Sequence, residues 1–452
     1  MQSHPAIRIF LAIVLLSASL FWLKCIKDIP YYDDDYQFYF DPPPPSAFHY
    51  FLHKNPRNAY AWRPLEATAL VFIQQKWGLN PFPIHFAAVA GHLLIAISLF
   101  YIFRKLYDEK IGVIAAILFS IHPAAVHPAA SIDTLSQIYG VLFTYLAGYI
   151  FLFRDKSITR DILGLACVVI ALLWKETSIC IFPVLFLAYF LTGKLRAEKR
   201  ALIMILILIA GYVAARHVLD FPSLKFGGSG RFGINFFRVP ANLAVLWFTA
   251  LNPFSTLQIF IAQKTRDFSF LLLVGCYFLI LLLLLVTLLY KQKQLIRISV
   301  WFFLIGSALL IPTVFFNHVS ELYVYGLLPF ACGLLAVFFI KTFELPRWAN
   351  YLGKLSLIVF LFVSISSVYT KSAAMFSTAK QAERLSDEVV NAVKLQPQGG
   401  TLILQNPECK YQYSIFVACG YEAINESFDW ILYKAGRPDV KIEMRQEKST
   451  VE

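Results

Sequence analysis

"FSFLLLVGCYFLILLLLLVTLLY", residues 268–290, contains no charged side chain and no proline. An α-helix rises about 1.5 Å per residue, so this block is long enough to cross a hydrocarbon core of about 30 Å. The stretch therefore predicts a transmembrane helix.

The same pattern recurs along the chain, which has 452 residues, 58% of them hydrophobic and 15% charged. Soluble domains average about 45–50% apolar and about 25% charged residues. The predicted spans are 8–25, 84–103, 112–129, 134–153, 161–175, 178–192, 201–218, 268–290, 299–316, 322–340 and 354–370. We therefore expect an all-α polytopic membrane protein with about 11–13 transmembrane helices.

One apolar stretch, "RVPANLAVLWFTALNPFSTLQIFIA" (238–262), is interrupted by Pro240 and Pro253. Proline breaks a helix, and irregular backbone at membrane depth must be packed within protein. We expect a non-crossing or re-entrant element here, which gives about 11 spans; a hairpin would give about 13.

The connectors between spans alternate in charge, and this alternation predicts the orientation. Segments rich in Lys and Arg are assigned to the cytoplasm by the positive-inside rule, and they are 104–110, 154–161, 192–200, 291–297 and 341–354. The outer segments are then 28–83, 129–133, 176–177, 219–238, 317–321 and the tail. The block at 8–25 is expected to be an uncleaved anchor because no small-x-small cleavage site follows it. The net charge of +12 is explained by these connectors, so nucleic-acid binding is excluded.

The tail, residues 371–452, is more polar and predicts a small α/β extracytoplasmic domain after a membrane domain of residues 1–370. We expect an amphipathic helix over 373–394 and strands at "TLILQ" (401–405) and "YSIFVAC" (413–419). Cys409 and Cys419 either pair in an oxidising space or remain free thiols.

Three consecutive carboxylates, Asp33, Asp34 and Asp35, follow the first span in "IPYYDDDYQFYF" (29–40). Mutual repulsion raises the pKa of at least one of them, and the flanking aromatic residues suit an interfacial pocket. The alternative is a solvated loop or a helix cap. On the predicted topology the run faces outward.

Other polar residues are predicted at the same outer level. They are Arg63; His122, His127 and Asp133 in "SIHPAAVHPAASIDTLSQIYG"; Lys175 and Glu176 in "LLWKETSIC"; Arg231 and Arg238 in "GGSGRFGINFFRV"; and His318 and Glu321 in "FFNHVSELYVYG". Charges near membrane depth usually pair or mark a site, and guanidinium groups bind phosphate oxygens. The alternatives are a proline-rich turn for the histidines and a structural ion pair for Lys175 and Glu176.

The order of these motifs resembles the GT-C class of glycosyltransferases, especially the protein O-mannosyltransferases and the transmembrane-and-TPR O-mannosyltransferases. The motifs are "YYDDDY" (31–36), "WRPLEATAL" (62–70), "LFSIHPAAVHPAA" (118–130), "LLWKETSI" (172–179) and "SELYVYGLLPFACGLL" (320–335). The likeness covers about residues 8–340 and indicates a bacterial-type relative without TPR repeats.

Three departures from that pattern stand out. The family usually has Glu a few residues after its His-Pro, where this chain has His127. The Arg-x-x-Asp that often follows is missing, with Asp133 and Gln137 nearby. A small tail replaces the TPR repeats.

The resemblance implies a mannose-like sugar carried on a polyprenyl phosphate and an acceptor hydroxyl on a protein, lipid or glycan. Transfer would invert the anomeric centre, with Asp34 as general base and Asp33 and Asp35 as the next candidates. Substrate and phosphate binding fall to Arg63, His122, His127, Asp133, Lys175, Glu176, Arg231, Arg238, His318 and Glu321. The carboxylate run could bind a divalent metal, but some relatives need none, so no metal ligand is assigned. The resemblance also places the enzyme in a bacterial inner membrane, with its site and C-terminus outside the cytoplasm.

Two other functions fit a polytopic chain. A transporter or lipid-linked-sugar flippase usually has ionisable groups near mid-span and internal repeats, neither of which the sequence displays. A non-catalytic assembly protein that keeps the scaffold would explain the replacement of Glu by His127.

Overall fold

A computed structural model describes residues 5–32, 35–36, 46, 48–53, 62–219, 233–406 and 420–446. Most of these residues are helical. In the first half of the chain the described helices are α1 (Pro5–Ile26), α2 (Pro64–Trp77), α3 (Phe82–Leu106), α4 (Glu109–Ser120), α5 (Val126–Ala130), α6 (Leu135–Phe153), α7 (Ile158–Trp174), α8 (Ile181–Leu191) and α9 (Lys199–Val218). The later helices are α10 (Val239–Leu251), α11 (Thr256–Thr265), α12 (Phe268–Lys291), α13 (Gln294–Leu309), α14 (Ile311–Val314), α15 (Glu321–Val324), α16 (Leu328–Thr342), α17 (Arg347–Lys394) and α18 (Phe428–Ala435).

Short 3-10 turns connect several helices, and one small sheet lies near the C-terminus. The turns are His49–Phe51, Pro123–Ala125, Ile132–Thr134, Glu176–Cys180, Phe236–Arg238 and Gly420–Ser427. Strands β1 (Thr401–Asn406) and β2 (Lys441–Gln446) pair in parallel, from Thr401 opposite Lys441 to Asn406 opposite Gln446. Helix α18 lies between the two strands in the sequence, so this end of the chain is a small α/β unit, as predicted.

Polar residues in the connectors begin several of the helices. Asp108 accepts a hydrogen bond from the Ile111 amide at 2.8 Å and caps α4. Ser157 caps α7 through the Arg160 amide, and Asp267 caps α12 through the Phe270 amide. Each cap satisfies one backbone N–H that the helix itself leaves unpaired. The connectors therefore fix where the apolar helices start.

Within the described residues, six helices are long and apolar enough to cross a membrane by length and composition. Two bent pairs raise this number to eight if each pair counts as one span. Both figures are lower than the about 11–13 spans that the apolar blocks predict. Four predicted spans account for the difference, because the helices that coincide with them are short: α7 (Ile158–Trp174) has 17 residues, and Glu176–Leu191, Gln294–Leu309 and Leu328–Thr342 are also apolar but short. The chain is an all-α polytopic membrane protein with a small C-terminal domain.

Both bent pairs break where the sequence places proline or polar caps. Helices α4 and α5 meet at 51° around the Pro123 turn. Helices α10 and α11 meet at 114°, and between them Asn252 accepts from the Phe254 amide and Ser255 accepts from the Gln258 amide. The stretch 238–262 is therefore interrupted, as predicted, with the geometry of either a broken span or a re-entrant loop.

Close helix contacts in the centre of the molecule depend on glycine. A Cβ atom on Gly333 of α16 would lie 1.7 Å from Cζ of Phe103 in α3, and Phe103 is 1% exposed. A Cβ atom on Gly112 of α4 would lie 2.7 Å from the carbonyl oxygen of Phe100. Small residues at such crossings let membrane helices approach closely, so α3, α4 and α16 form a tight central group.

Helix α17 is one continuous helix over two segments that the sequence predicts as separate elements. It is 48 residues long and covers both the predicted span at 354–370 and the predicted amphipathic helix at 373–394. Its C-terminal part contributes Val389 and Val393 to the same core as Leu404 of β1 and Ile431 of α18. The predicted strand at 401–405 is confirmed, whereas 413–419, Cys409 and Cys419 lie outside the described residues.

We expect Gly333→Ala to lower the free energy of unfolding by about 1–3 kcal/mol, because the added methyl group overpacks the Phe103 contact. The measurement is the melting temperature of the purified protein in detergent. Gly275→Ala in α12 is the control, since a Cβ atom there meets nothing within 4 Å. Equal melting temperatures for the two variants would contradict the tight crossing.

Candidate functional site

The segment 28–83 between α1 and α3, which we call the first loop, places two buried carboxylates at the beginning of α6. Oδ1 of Asp35 accepts hydrogen bonds from the amides of Ile132 at 2.8 Å and Asp133 at 3.1 Å. Oε1 of Glu66 accepts from the amide of Ser136 at 2.8 Å. Amides at a helix N-terminus have no partner within the helix and carry partial positive charge. Residues 131–136, which we call the α6 entry segment, thus bind the loop to the helix bundle.

Asp35 is the described member of the carboxylate run, and it is 2% exposed. Its Oδ2 accepts a further bond from the Tyr32 amide at 3.2 Å. Burial raises the pKa of Asp35 well above its usual range, and the charge of Asp133 raises it further. Asp33 and Asp34 lie outside the described residues, between Tyr32 and Asp35 in the chain. The hydrogen bonds of Asp35 therefore anchor the loop to the α6 entry segment.

Tyr36, the residue after Asp35, contacts the C-terminal domain. The ring of Tyr36 stacks on that of Trp430 in α18, with centroids 5.1 Å apart and planes 11° apart. The Tyr36 hydroxyl donates to the Tyr31 carbonyl at 3.1 Å. The segment that carries the acidic run is therefore held by the α6 entry segment on one side and by α18 on the other.

Arg63 links two carboxylates from distant parts of the chain. Its Nε donates to Oε2 of Glu176 at 2.9 Å and its Nη2 donates to Oε1 at 2.7 Å. Its Nη1 lies 3.6 Å from Oε2 of Glu66, which is fully buried. Burial raises the pKa of Glu66, although Arg63 and Lys175 lower it in part. Each nitrogen of the Arg63 guanidinium group thus faces a carboxylate, which favours the structural ion pair over phosphate binding at this residue.

Lys175 belongs to the same group of charges as Arg63 but lacks a carboxylate close to it. It is 9% exposed, and among the described residues its ammonium group has no carboxylate within 4.0 Å. Burial lowers the pKa of Lys175, and the charge of Arg63 lowers it further. Glu176, Glu66 and Asp133 act on it from a greater distance. Lys175 is therefore a buried positive charge without a direct ion pair in the described chain.

A second group forms around Lys371, which the sequence analysis did not identify. Its ammonium group donates to both carboxylate oxygens of Glu321 at 2.7 Å and to the Pro123 carbonyl at 3.1 Å. It also lies 3.5 Å from the hydroxyl of Thr256, which itself donates to Glu321. Lys371 is fully buried, so one side chain joins α17, α15, α11 and the His-Pro turn. The only sequence signal was a lone lysine at the end of an apolar block.

The two predicted histidines lie near this ion pair. His122 is fully buried, and its Nδ1 accepts from the Ala124 amide at 3.2 Å. Its Nε2 has no hydrogen bond to the described residues. The charges of both Lys371 and Lys175 act on His127, which is 7% exposed. His127 therefore lies within electrostatic range of both groups of charges.

Arg238 and His318 form a third group at the end of α10. The Arg238 guanidinium group donates to the Asn317 carbonyl, and His318 Nε2 lies 3.1 Å from the Tyr323 hydroxyl. The Asn235 amide donates to the Phe315 carbonyl at 2.7 Å, so residues 233–238 run beside residues 315–317. Arg231 lies outside the described residues.

The structure thus brings Asp35, Arg63, Asp133, Lys175 and Glu176 together at the α6 entry segment. Lys371 joins Glu321 to the His122–Pro123 turn, and His127 is near both groups. The part of the chain that the structure describes holds no cluster of three or more His, Cys, Asp or Glu placed to bind a metal ion. Both Asp35 oxygens accept backbone hydrogen bonds, so Asp35 does not fit a metal ligand.

Comparison with solved structures identifies the fold. The chain is similar to ArnT from Cupriavidus metallidurans in the apo state, with 11% identity, a TM-score of 0.51 and coverage of 97% of this chain and 86% of that chain. It has the GT-C fold. The Archaeoglobus fulgidus oligosaccharyltransferase, tethered with an acceptor peptide containing the NVT sequon, is also similar, with 11% identity and a TM-score of 0.50.

The alignment with the archaeal enzyme covers 96% of this chain but 64% of that enzyme. This chain therefore spans less than two thirds of the archaeal protein. No protein-family profile and no curated protein matches the sequence. The GT-C resemblance expected from the motifs agrees with these folds, while its narrower O-mannosyltransferase form stays a prediction.

We expect Lys371→Met to lower the free energy of unfolding by about 3–5 kcal/mol, because it leaves the Glu321 carboxylate buried without its cation. The double variant Lys371→Met with Glu321→Gln should recover part of this loss, since the uncompensated charge is then removed. Melting temperatures in detergent test both statements.

Lys380→Met is a control on the same helix, because Lys380 forms a half-exposed pair with Glu383. Such pairs contribute about 0–1 kcal/mol. If Lys371→Met is no more destabilising than Lys380→Met, the buried pair does not hold the four segments together.

Proposed function

We propose that this protein is a membrane glycosyltransferase that moves a sugar from a polyprenyl-phosphate donor to an acceptor hydroxyl. The observation that most supports this is the α6 entry segment, where a GT-C fold gathers the acidic loop and the buried Lys175. A lipid-linked donor accounts for a catalytic domain built from transmembrane helices. The acceptor is a hydroxyl group on a protein, lipid or glycan.

In this proposal the general base is Asp34, with Asp33 as the next candidate. Asp35 is less suited to the role because both its oxygens accept backbone hydrogen bonds. Those bonds fix residue 35, which directly follows Asp33 and Asp34 in the chain. A general base needs such an anchor nearby if it is to stay within reach of the acceptor. A base within hydrogen-bond reach contributes typically about 10²–10⁴-fold.

The proposed reaction forms one bond and breaks one bond at the anomeric carbon. The acceptor oxygen attacks that carbon from the face opposite the phosphate, and its proton passes to the aspartate. The bond from the anomeric carbon to the phosphate oxygen breaks, and the polyprenyl phosphate leaves with its electron pair. The anomeric centre is inverted, and the sugar is mannose-like.

The negative charge that develops on the leaving phosphate needs a cation in a dry site. Lys175 is the preferred candidate because it is buried and has no direct ion pair in the described chain. Arg63 instead pairs with Glu176 and lies near Glu66. Arg238 is exposed and donates to the Asn317 carbonyl. A phosphate near Lys175 would also satisfy the charge that burial disfavours.

The cellular setting is part of the proposal. We place the protein in a bacterial inner membrane, with the acidic loop, the α6 entry segment and the C-terminal domain on the extracytoplasmic side, as the basic connectors predict. The motif order favours an O-mannosyltransferase-like enzyme. The membrane domain is residues 1–370 and the C-terminal domain is residues 371–452, with α17 continuous across the boundary.

We expect Asp34→Asn to reduce sugar transfer from undecaprenyl-phosphate mannose at least 100-fold, because the amide cannot accept the proton. The assay uses purified protein in nanodiscs, with release of undecaprenyl phosphate as the readout. Asp28→Asn is the matched control, because Asp28 precedes the same loop and its side chain is 72% exposed. Full transfer by the Asp33→Asn, Asp34→Asn and Asp35→Asn variants, each tested singly, would rule out the aspartate base.

For Lys175 the expected result is a smaller kcat with Lys175→Met and partial recovery with Lys175→Arg, because only a cation stabilises the leaving phosphate. The measurement is kcat and KM in the same assay, with Lys27→Met as the exposed control. Unchanged kcat in Lys175→Met would remove Lys175 from this role.

A further inference from the structure

A buried pair of aromatic rings connects the C-terminal domain to the first loop. The rings of Tyr36 and Trp430 lie nearly parallel, with planes 11° apart and centroids 5.1 Å apart. Trp430 of α18 is 6% exposed, so this contact belongs to the packed interior. Stacked aromatic pairs are favourable beyond the area that they bury. Because Tyr36 directly follows Asp35, the stack holds the chain at the end of the acidic run.

Helix α18 is in turn fixed to α17, the helix that continues into the membrane domain. Ile431 of α18 and Val393 of α17 are both fully buried and belong to one core. Further along α17, Lys371 donates to a carbonyl of the His-Pro turn at 3.1 Å. Trp430 is therefore attached to the helix bundle, and through Tyr36 it attaches the first loop as well.

Tyr36 serves as a contact and not as an acid or base. Burial raises the pKa of the Tyr36 hydroxyl, and the charges of Asp35, Glu383 and Asp387 raise it further. The hydroxyl is therefore neutral, and it donates to the Tyr31 carbonyl at 3.1 Å. Residues 31 and 36 flank the acidic run, so this hydrogen bond ties its two ends together.

Two anchors at adjacent residues fix this end of the run. Oδ1 of Asp35 accepts from the amides of Ile132 and Asp133 in the α6 entry segment, and Tyr36 lies against Trp430. One anchor leaves the chain free to turn about it, whereas two anchors at neighbouring residues also set its direction. A misplacement of about 1 Å at a catalytic group can cost about 10²-fold in rate. The second anchor therefore matters for a base on this run.

We propose that Trp430 is a positioning residue for sugar transfer, which acts through Tyr36 on the acidic run. This inference rests on the function proposed above. It gives the C-terminal domain a part in the chemical step, because the domain then helps to set where the general base lies.

The first test separates the chemical step from donor binding. We expect Trp430→Leu to lower kcat about tenfold, because leucine keeps the position apolar but offers no flat ring to Tyr36. KM for undecaprenyl-phosphate mannose should stay unchanged, since the variant displaces the base and not the donor. Trp430→Phe keeps a ring in the stack and should recover most of kcat. The assay uses the full chain in nanodiscs, with release of undecaprenyl phosphate as the readout.

A double variant shows whether Trp430 acts through Tyr36. Tyr36→Leu removes the other ring and should lower kcat at least as much as Trp430→Leu. The double variant should lose no more than Tyr36→Leu alone, because both substitutions break the same contact. Lys434→Met is the control on α18, since Lys434 pairs with Asp387 of α17 at 2.8 Å but both side chains are exposed. Its kcat should equal that of wild type.

Hydrogen exchange gives a readout that does not depend on activity. In Trp430→Leu the amides of residues 29–36 should exchange faster than in wild type, because local opening no longer has to break the stack. Exchange in α12 should be unchanged, and Trp430→Phe and Lys434→Met should exchange as wild type does. Faster exchange throughout the chain of Trp430→Leu would contradict a local positioning role.

Failure of the inference and failure of the proposed function give different results. If Trp430→Leu keeps the wild-type kcat, or if the double variant loses the product of the two single losses, the inference is wrong while the proposed function stands. The same conclusion follows if Trp430→Phe is as slow as Trp430→Leu. If wild-type protein transfers no sugar, the proposed function fails, and the role of Trp430 in transfer fails with it.

Discussion

The interaction on which the site depends is the capping of α6 by two carboxylates from the first loop, residues 28–83. Amides at the start of a helix have no intrahelical partner, and within a bundle that excludes water they need one. Asp35 and Glu66 meet that need from two points of the loop, at the Ile132, Asp133 and Ser136 amides. The loop's position is therefore set by α6. Asp33 and Asp34 follow directly after Tyr32, whose amide also bonds Asp35.

The buried charges around this point differ in how they are balanced. Arg63 faces Glu66 and Glu176, and Lys371 faces Glu321, so each has a carboxylate close by. Buried ion pairs often add little net stability but are costly to break. They therefore suit helices and turns whose relative positions must stay fixed. Lys175 is buried without a direct ion pair in the described chain.

The sequence predicted much of the fold because apolar blocks and basic connectors are local signals. The strand at 401–405 and the break in 238–262 followed from a few neighbouring residues. The number of spans could not be predicted in the same way, because short and bent helices have the same composition as full spans. The Arg63–Glu176 pair joins residues 113 positions apart, and Lys371 pairs across 50 positions. A lysine at the end of an apolar block also resembles an ordinary interfacial anchor, so its burial was not visible.

His127 stands where the O-mannosyltransferases, which the motifs resemble, usually have Glu. The charges of Lys371 and Lys175 both act on position 127, so a carboxylate there would be attracted to two buried cations. In this chain Glu321 supplies the carboxylate for Lys371, at 2.7 Å from both of its oxygens. A histidine at position 127 adds no negative charge near Lys175. Lys175 is therefore left as a cation that a phosphate, rather than a protein carboxylate, can balance.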